Sequence, residues 1–473
     1  MELPLTIYLR RMPHWIPFVI LFELLLGLAA ILFPVYFPFI LVIGTAGLLL
    51  FLIRPELCYY LTILALGFDG ISIIALKGGG GPGAQTINAH HILILIGFVT
   101  ILIKIMRDKL EIQRSSLEVP VFLFLAWAMI SLLWTPNLRA SLVVVVQIFV
   151  ALALFFSSTQ FFREEKFLRS VVMIWFFLGL ADAFLTFLFP HGYKFSPFVG
   201  LQWTKSVLGR ALAFTGHPNT LALQLNVGIL LGFGLLLSAK SRLSKWLYGL
   251  AIIPMSLAFV LTMSRGWLVA LPIGIAFFFY RMRQFKKFII VIIAGLVLIG
   301  ILFLILPESL QGIIWRFFRA PSGAEYSDIE VAGAGKTLEV RSLLWEAGFE
   351  FFKNTYGRGI GAGGFASVVG GVLPESAEMQ LHSLYFTIIF ELGFVGIVIF
   401  SWLLVRLLIK IELFSKQIRE TSVEPLFLAW YAGWVTMLLN GFLRITLGSV
   451  PFWSFMSLGI IIMKIGVGQR KNA

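Results

Sequence analysis

Five basic side chains lie beside long apolar stretches of this sequence, where an unpaired charge is costly. They are Arg210, His217, Arg265, His382 and Arg444. Arginine is always charged and binds phosphate through a planar fork of donors. Histidine titrates near neutral pH and can accept a proton from a hydroxyl group. The combination predicts a site that binds an anionic group, best matched by a lipid-linked diphosphate, and activates a hydroxyl.

Arg265 gives the sharpest of these signals. It lies within residues 262–266, which join two apolar runs with almost no loop between them. Such an arginine must lie at or just inside a membrane interface, where it needs a partner. His382 is less specific, because a lone histidine at a helix end is also typical of an interfacial residue with an ordinary hydrogen bond. The residues alone leave both interpretations of His382 open.

No pair of carboxylates accompanies these basic residues at the ends of the apolar runs. The acidic cluster of the long loop, Glu325, Asp328 and Glu330, is a weak candidate for a cation site. A diphosphate leaving group needs its charge neutralised, either by metal ions or by cationic side chains. We therefore expect arginines to do this, with no metal and no cofactor.

The composition indicates that lipid is the solvent for most of the chain. Of its 473 residues, 59% are hydrophobic and 13% are charged, whereas a soluble domain carries about 25% charged residues. Apolar runs such as 15–33 are longer than the alternating segments of about 10 residues in membrane barrels. The sequence therefore predicts an all-α polytopic membrane protein. Its single cysteine, Cys58, excludes a disulfide framework.

Apolar runs of the length needed to cross a bilayer predict about 14 (12–14) transmembrane helices. The spans are 14–34, 36–53, 56–76, 88–106, 119–135, 141–159, 168–189, 218–238, 246–262, 266–280, 288–306, 383–405, 424–441 and 448–466. Spans 246–262 and 266–280 could instead merge into one bent element. With both termini cytoplasmic, about two thirds of the 37 Lys and Arg lie inside, as the positive-inside rule requires. The positive charge is thus a topological signal, and we expect no nucleic-acid partner.

This topology divides the chain into three regions: a bundle over 1–306, an extracytoplasmic loop over 307–382, and C-terminal helices over 383–473. The loop is too long for a passive connector. It contains an amphipathic segment, 338–354, with Arg341 away from its charged stripe. This predicts a helix either on the membrane surface, with Arg341 turned toward the protein, or packed on loop residues. We leave both open.

The glycine-rich stretch 357–365 contains a match to GxGxxG, the pattern of dinucleotide-binding loops. No strand is expected before it, and it lies on the outer side, where nucleotide cofactors are scarce. We therefore predict a tight backbone turn near the membrane surface.

Four segments follow one another along the sequence and are all predicted to lie on the outer side. They are Gly209-Arg210-Ala211 with Gly216-His217-Pro218-Asn219-Thr220; Thr262-Met263-Ser264-Arg265-Gly266; Arg341-Ser342-Leu343-Leu344-Trp345 with the stretch 359–365; and Leu381-His382-Ser383-Leu384-Tyr385 with Glu391-Leu392-Gly393. The set resembles the motifs of the O-antigen ligase / O-antigen polymerase-like family of bacterial envelope proteins. The resemblance covers roughly 210–396 by motif and the remainder by hydropathy. Ser383 departs from the family pattern, which has Asn there, and this leaves the role of that amide open.

The resemblance implies a fold and an activity. The fold would be a bundle of the kind grouped with GT-C glycosyltransferases, in the bacterial cytoplasmic (inner) membrane. The activity would be metal-independent transfer of a glycan from an undecaprenyl-diphosphate carrier to an acceptor hydroxyl at the outer face. The acceptor is a lipid A–core sugar in ligases and another lipid-linked repeat unit in polymerases, and the sequence does not choose between them.

The resemblance also implies roles for individual residues. Arg210 and Arg265 would bind the diphosphate, and His382 would orient or deprotonate the acceptor hydroxyl. The further substrate-binding residues would be Arg341, His217, Asn219 and Arg444.

Two other functions compete with glycan transfer. A flippase or transporter of the same lipid-linked sugar should carry its important charges near the middle of the membrane, whereas these lie at the outer rim. A non-catalytic scaffold would not explain why Arg265 lies in a tight connection between two apolar runs. Three acids lie within predicted spans, Glu23, Asp69 and Asp182, and structural pairing inside the bundle is the favoured interpretation for them.

Overall fold

A computed structural model describes residues 47, 49–69, 72–75, 86–108, 112, 115–162, 166–189, 193–196, 200–203, 211–305, 337–372, 381, 383–442 and 447–471. The chain divides into two compact units, Met1–Leu57 and Cys58–Ala473. The second unit contains the bundle and the candidate site.

Helices make up nearly all of the described part of the chain. They are α1 Pro55–Ala65, α2 Ala89–Asp108, α3 Glu118–Ile130, α4 Leu138–Phe161, α5 Lys166–Leu188, α6 Pro218–Ser238, α7 Arg242–Leu261, α8 Arg265–Arg281, α9 Phe285–Ile305, α10 Thr337–Asn354, α11 Phe365–Val372, α12 Leu384–Thr387, α13 Gly393–Gln417, α14 Glu424–Gly441 and α15 Val450–Lys471. Two 3₁₀ turns, Leu66–Phe68 and Ser131–Leu133, extend α1 and α3. A π-helical segment, Ile388–Leu392, joins α12 to α13.

Two short hairpins accompany the predicted helices. Strands β1 (Ser72–Ala75) and β2 (Thr86–Asn88) pair antiparallel, as do β3 (Tyr193–Ser196) and β4 (Gly200–Trp203). The predicted span 56–76 was wrong at its end, because the helical part stops at Phe68 and β1 follows. A short apolar run fits either a helix or a strand, so hydropathy could not separate them.

Six helices are long and apolar enough to cross a membrane, within the part of the chain that the structure describes. They are Ala89–Arg107, Leu138–Phe161, Phe167–Leu188, Pro218–Ser238, Arg242–Leu261 and the continuous helix Leu384–Gln417. Three shorter apolar helices accompany them, Pro55–Phe68, Glu118–Leu133 and Val450–Gly466. These helices support the prediction of a multi-pass membrane protein. The predicted span 14–34 lies outside the described residues, and the sides of the termini stay a prediction.

Helix α6 lies at the centre of the bundle, packed against α5, α7 and α14. Glycines allow these close approaches, since a Cβ at Gly179 of α5 would lie 3.0 Å from the Cα of Gly228 in α6. A Cβ at Gly234 of α6 would lie 2.7 Å from the Cβ of Ala429 in α14. Small residues at such contacts are typical of helices that pack in lipid, where no hydrophobic force drives helix association.

Spans 246–262 and 266–280 are two separate helices, α7 and α8. The connection between them has a left-handed residue, Met263, with φ of 47°. An L-residue in this conformation reverses the chain at some cost in strain. The tight hairpin around Arg265 is therefore confirmed, and the merged alternative was wrong.

The predicted helix 338–354 is present as α10. One side of it contributes to a small hydrophobic cluster, and the buried members are Leu344, Ile360, Phe365, Val369, Leu381 and Phe390. The structure thus shows one side of this helix packed on the protein, and its position at the membrane surface stays a prediction. The acidic residues Glu325, Asp328 and Glu330 lie outside the described residues.

Candidate functional site

Four of the seven predicted site residues lie in the described part of the chain: His217, Asn219, Arg265 and Arg341. The other three, Arg210, His382 and Arg444, lie outside it. The site is therefore built from the first four and from the described neighbours of the other three.

The segment around His217 is the start of α6. His217 has extended backbone angles and is the N-cap, and its Nδ1 accepts a hydrogen bond of 3.0 Å from the backbone N–H of Asn219. Pro218 occupies the first helical turn, where its missing N–H has no cost. Because Nδ1 acts as an acceptor, a neutral His217 carries its proton on Nε2 and can donate from that nitrogen.

Asn219 joins this helix start to the hairpin of Arg265. Its Oδ1 accepts a hydrogen bond from the hydroxyl of Ser264, the N-cap position of α8. The backbone N–H of Ala211 donates to the carbonyl of Leu261 at the end of α7, 3.0 Å away. Two motifs that are about 45 residues apart in the sequence are thus adjacent in the fold. Arg265 is the first residue of α8, and its side chain is exposed.

Helix α14 ends at the same place. The side-chain amide of Asn440 donates to the carbonyl of Gly266 at 3.4 Å, which links the last turn of α14 to the first turn of α8. The hydroxyl of Tyr385 donates to the carbonyl of Leu438 at 2.9 Å, which links α14 to α12. The starts of α6, α8 and α12 and the end of α14 therefore meet. We call this region the motif end of the bundle.

The residue beside His382 has a structural role of its own. Ser383 has extended backbone angles, and its side chain accepts a hydrogen bond of 3.4 Å from the backbone N–H of Phe386. It is therefore the N-cap of α12. Serine and asparagine are both strong N-caps, so the departure from the family pattern preserves this function.

Helix α10, which carries Arg341, packs beside the motif end. The indole N–H of Trp345 donates to the carbonyl of Leu381 at 3.3 Å, and its ring packs on Phe386 with 4.6 Å between centroids. Arg341 lies one helical turn before Trp345, on the same face of α10. Arg341 is half-buried, and this burial lowers the pKa of its guanidinium from the usual value. An arginine stays charged despite such a shift, so burial strengthens its attraction for an anion.

The glycine-rich stretch forms a backbone turn, as predicted. Gly357, Gly359, Gly361 and Gly363 all have positive φ, between 70° and 99°. The N–H of Ile360 donates to the carbonyl of Phe390 at 2.9 Å, and that of Gly361 donates to the carbonyl of Glu391 at 2.8 Å. Two family motifs, the glycine-rich turn and Glu391-Leu392-Gly393, are therefore directly bonded to each other.

Sequence reasoning missed the neutral residues that join the helices at the motif end. Ser264 was visible beside Arg265, but nothing in the spacing signalled its bond to Asn219. Asn440 gave no signal, because it is a single polar residue near the end of an apolar run, and Tyr385 was noted only as part of the segment that contains His382. Such bonds depend on which helices are neighbours, and hydropathy does not specify that.

Two of the intramembrane acids can now be placed. Asp69 accepts a hydrogen bond from the side chain of Asn88 at 2.7 Å and lies 3.7 Å from Nδ1 of His90. Asp182 is fully buried in α5 beside Gly67, where an added Cβ would be 3.0 Å from its carboxylate oxygen. Asp69 therefore pairs within the protein, which agrees with the favoured interpretation. Neither carboxylate oxygen of Asp182 has a hydrogen-bond partner among the described residues, so the prediction of pairing was wrong there. Glu23 lies outside the described residues.

Comparison with known proteins bears on the middle of the chain. Residues 250–401 match the family model described as O-antigen ligase. No curated protein matches the chain. The matched stretch includes the hairpin of Arg265, the helix of Arg341 and the start of α12, and it supports a function of O-antigen ligase or polymerase type in cell-surface glycan biosynthesis. The match over residues 250–401 thus supports the resemblance to the O-antigen ligase / O-antigen polymerase-like family that the motifs predicted.

Proposed function

We propose that this protein transfers a glycan from an undecaprenyl-diphosphate carrier to an acceptor hydroxyl at the outer face of the bacterial cytoplasmic membrane. The observation that supports this most is the meeting of helix ends around Ser264. The bond from Ser264 to Asn219 joins two of the four motif segments. The bonds from Asn440 to Gly266 and from Tyr385 to Leu438 place a third segment, 381–385, at the same end of the bundle.

The reaction needs two kinds of group at one place. The acceptor oxygen attacks the anomeric carbon of the donor sugar and forms a new C–O bond. The bond from that carbon to the diphosphate oxygen breaks, and its electron pair leaves with undecaprenyl diphosphate. The acceptor proton passes to a base. The leaving diphosphate gains negative charge, so preorganised cations lower the barrier.

Arg265 is the described cation best suited to the diphosphate. It is the first residue of α8, where unpaired backbone N–H groups and the helix dipole favour an anion. Its guanidinium adds a planar fork that matches phosphate oxygens. Arg210, Arg341 and Arg444 would share the diphosphate charge.

The acceptor would bind on the side of α12. His382 would take the acceptor proton, and His217 and Asn219 would bind substrate from the start of α6. We propose that no metal ion is needed, because arginines neutralise the charge. The acceptor is a second lipid-linked glycan in a polymerase and a lipid A–core sugar in a ligase. The membrane lipid itself presents the donor at this depth.

The test uses purified protein in liposomes that contain undecaprenyl-diphosphate-linked glycan, with a chelator present throughout. Glycan transfer and released undecaprenyl diphosphate are measured for the wild type and for Arg265→Ala. We expect transfer by the wild type in the chelator and a loss of about 100- to 1,000-fold in kcat for the variant. A ladder of longer lipid-linked chains identifies a polymerase, and modification of an added lipid A–core acceptor identifies a ligase.

The matched control is Arg242→Ala, which removes an exposed arginine from the start of α7, at the far end of the same helical hairpin. We expect its transfer rate to be unchanged. If Arg265→Ala were fully active, the proposed mechanism would be wrong. If the wild type only moved the lipid between leaflets, a flippase would replace the transferase.

A further inference from the structure

Glu391 is a buried carboxylate to which no role in the reaction has been given. It lies in the π-helical segment between α12 and α13 and is 5% exposed. Its Oε2 accepts a hydrogen bond of 2.7 Å from the backbone N–H of Gly363. The backbone N–H of Phe365, the first residue of α11, lies close to the same carboxylate. One side chain therefore bonds to the glycine-rich turn and lies beside the start of α11.

Backbone bonds around Glu391 reinforce this attachment. A π turn displaces the regular helical pattern, and here the carbonyls of Phe390 and Glu391 accept from Ile360 and Gly361 of the turn. On the other side, the N–H of Phe394 donates to the carbonyl of Gly357 at 2.8 Å. The turn is thus bonded to the C-terminal half of the π-helical segment and to the start of α13.

The glycine-rich turn and the helix fit so closely that each side of the contact requires a glycine. A Cβ at Gly359 would collide with the carbonyl of Glu391, and one at Gly393 would collide with the carbonyl of Arg358. Both glycines also have positive φ. Such a fit leaves little room for the turn to shift along the helix.

The docked turn determines where α10 lies. Helix α10 leads directly into the turn, and its Phe349 packs edge-to-face on Phe390 with 4.9 Å between ring centroids. A Cβ at Gly348 would collide with the same Phe390 ring. Arg341 lies on α10, while Ser383 begins the helix that leads to Glu391. Glu391 therefore connects the helix of a donor-binding residue to the helix start beside His382.

A buried carboxylate is an expensive way to fill this position. An apolar side chain of similar size would pack without the cost of removing a charge from water. The carboxylate has one advantage, because it accepts a bond from a backbone amide of a turn that lacks regular secondary structure. Its value therefore lies in fixing the turn.

We propose that Glu391 is a positioning residue for glycan transfer, which aligns Arg341 with the acceptor side of the site. This inference rests on the proposed function. It predicts that removing the carboxylate damages the alignment of donor and acceptor more than it damages donor binding.

The first experiment compares Glu391→Ala and Glu391→Gln with a control, Glu346→Ala, which removes an exposed carboxylate from α10. We expect Glu391→Ala to lower kcat by about 100-fold, since a misplacement of about 1 Å has that effect, with little change in KM for the lipid-linked donor. Glu391→Gln should recover most of the rate, because its amide oxygen still accepts a hydrogen bond. An unchanged kcat per folded molecule in Glu391→Ala would overturn the inference.

A double-mutant cycle tests whether Glu391 acts through Arg341. Residues that act as a unit give losses that do not add. We expect Arg341→Ala with Glu391→Ala to be little worse than the poorer single variant. Additive losses, or an Arg341→Ala variant with full activity, would show that Glu391 does not work through Arg341.

Hydrogen exchange separates failure of this inference from failure of the proposed function. In the wild type, the amides of residues 358–365 should be protected, and Glu391→Ala should expose them while leaving α6 protected. This measurement needs no activity. If the wild type transferred no glycan, the proposed function would be wrong, whereas unchanged protection in Glu391→Ala would refute the positioning role of Glu391.

Discussion

Helix α8 begins and ends with an arginine, and its two ends use charge in different ways. Arg281, the last residue, makes a bidentate ion pair with Glu412 of α13, with N–O distances of 2.9 and 3.2 Å. It also donates to the hydroxyl of Ser415 and lies over the ring of Tyr431, 5.5 Å from its centroid. At this end the guanidinium joins α8, α13 and α14.

At the motif end, neutral groups join the helices. Ser264 donates to Asn219, Asn440 donates to Gly266, and Tyr385 donates to Leu438. These three bonds need no guanidinium. The comparison indicates that the arginine at one end of α8 has a structural function, whereas the three bonds described near Arg265 are made by neutral groups. Substitutions at the two ends should therefore separate stability from activity.

The largest effect is expected for Gly393→Ala, at the close backbone contact between the glycine-rich turn and the start of α13. Gly393 has φ of 70°, and a Cβ there would collide with Arg358. We expect a loss of at least about 2 kcal/mol in unfolding free energy and a transfer rate reduced by about 100-fold. Thermal unfolding and the transfer assay measure both quantities.

The control for Gly393→Ala is Gly249→Ala in α7, where a Cβ would meet no atom within 4 Å. This variant should gain about 1 kcal/mol from helix propensity. If Gly393→Ala were as stable and active as Gly249→Ala, the docked turn would not matter for the fold or for transfer.

The comparison within α8 becomes sharper with Arg265→Lys. Lysine keeps the charge but loses the planar fork, so it cannot bind phosphate in a bidentate manner. We expect kcat to fall by about 10- to 100-fold, equivalent to about 1.4–2.7 kcal/mol, with unfolding unaffected. Arg242→Lys should change neither quantity. Full activity of Arg265→Lys would mean that only the charge at this position matters.

At the opposite end, Arg281→Ala should affect stability and spare the chemistry. The pair with Glu412 is only partly buried, with 25% and 45% of the two side chains exposed. Solvent screening therefore reduces the cost to about 1–2 kcal/mol, below that of a fully buried pair. We expect a lower unfolding temperature and an unchanged kcat per folded molecule. A loss of kcat without destabilisation would contradict the structural function of Arg281.

Much of the helical architecture could be predicted from hydropathy and charge. The hairpin of Arg265 and the amphipathic helix 338–354 follow from local patterns, because the period of apolar residues and the length of a connection are local properties. The strand Ser72–Ala75 could not be separated from the preceding helix, since a segment of four residues is too short to show a clear period. The packing side of α10 was also left open, because it depends on Phe386 and Phe390, more than 30 residues away.

The site was predicted less completely than the fold. Basic residues in apolar surroundings are conspicuous, so Arg265 and Arg341 could be found from the sequence. Ser264, Asn440 and Glu391 act through bonds to backbone groups or amides of distant segments, and a single sequence does not indicate such partners. The sequence therefore predicted the charged residues of the candidate site. The structure was needed to find the residues that position them.

The smallest effect is expected for Ser383→Asn, which restores the residue that the family pattern has at this position. If Ser383 acts as the N-cap of α12, as its bond to Phe386 indicates, asparagine should serve equally well. Stability should then change by only a few tenths of a kcal/mol, and the transfer rate should stay within about twofold. Ser383→Ala should cost about 1 kcal/mol, because it leaves the amide of Phe386 without its cap. A tenfold gain in kcat for Ser383→Asn, measured beside Ser383→Ala, would instead assign the asparagine side chain a role in binding substrate. Neutral groups at the motif end would then do more than join helices.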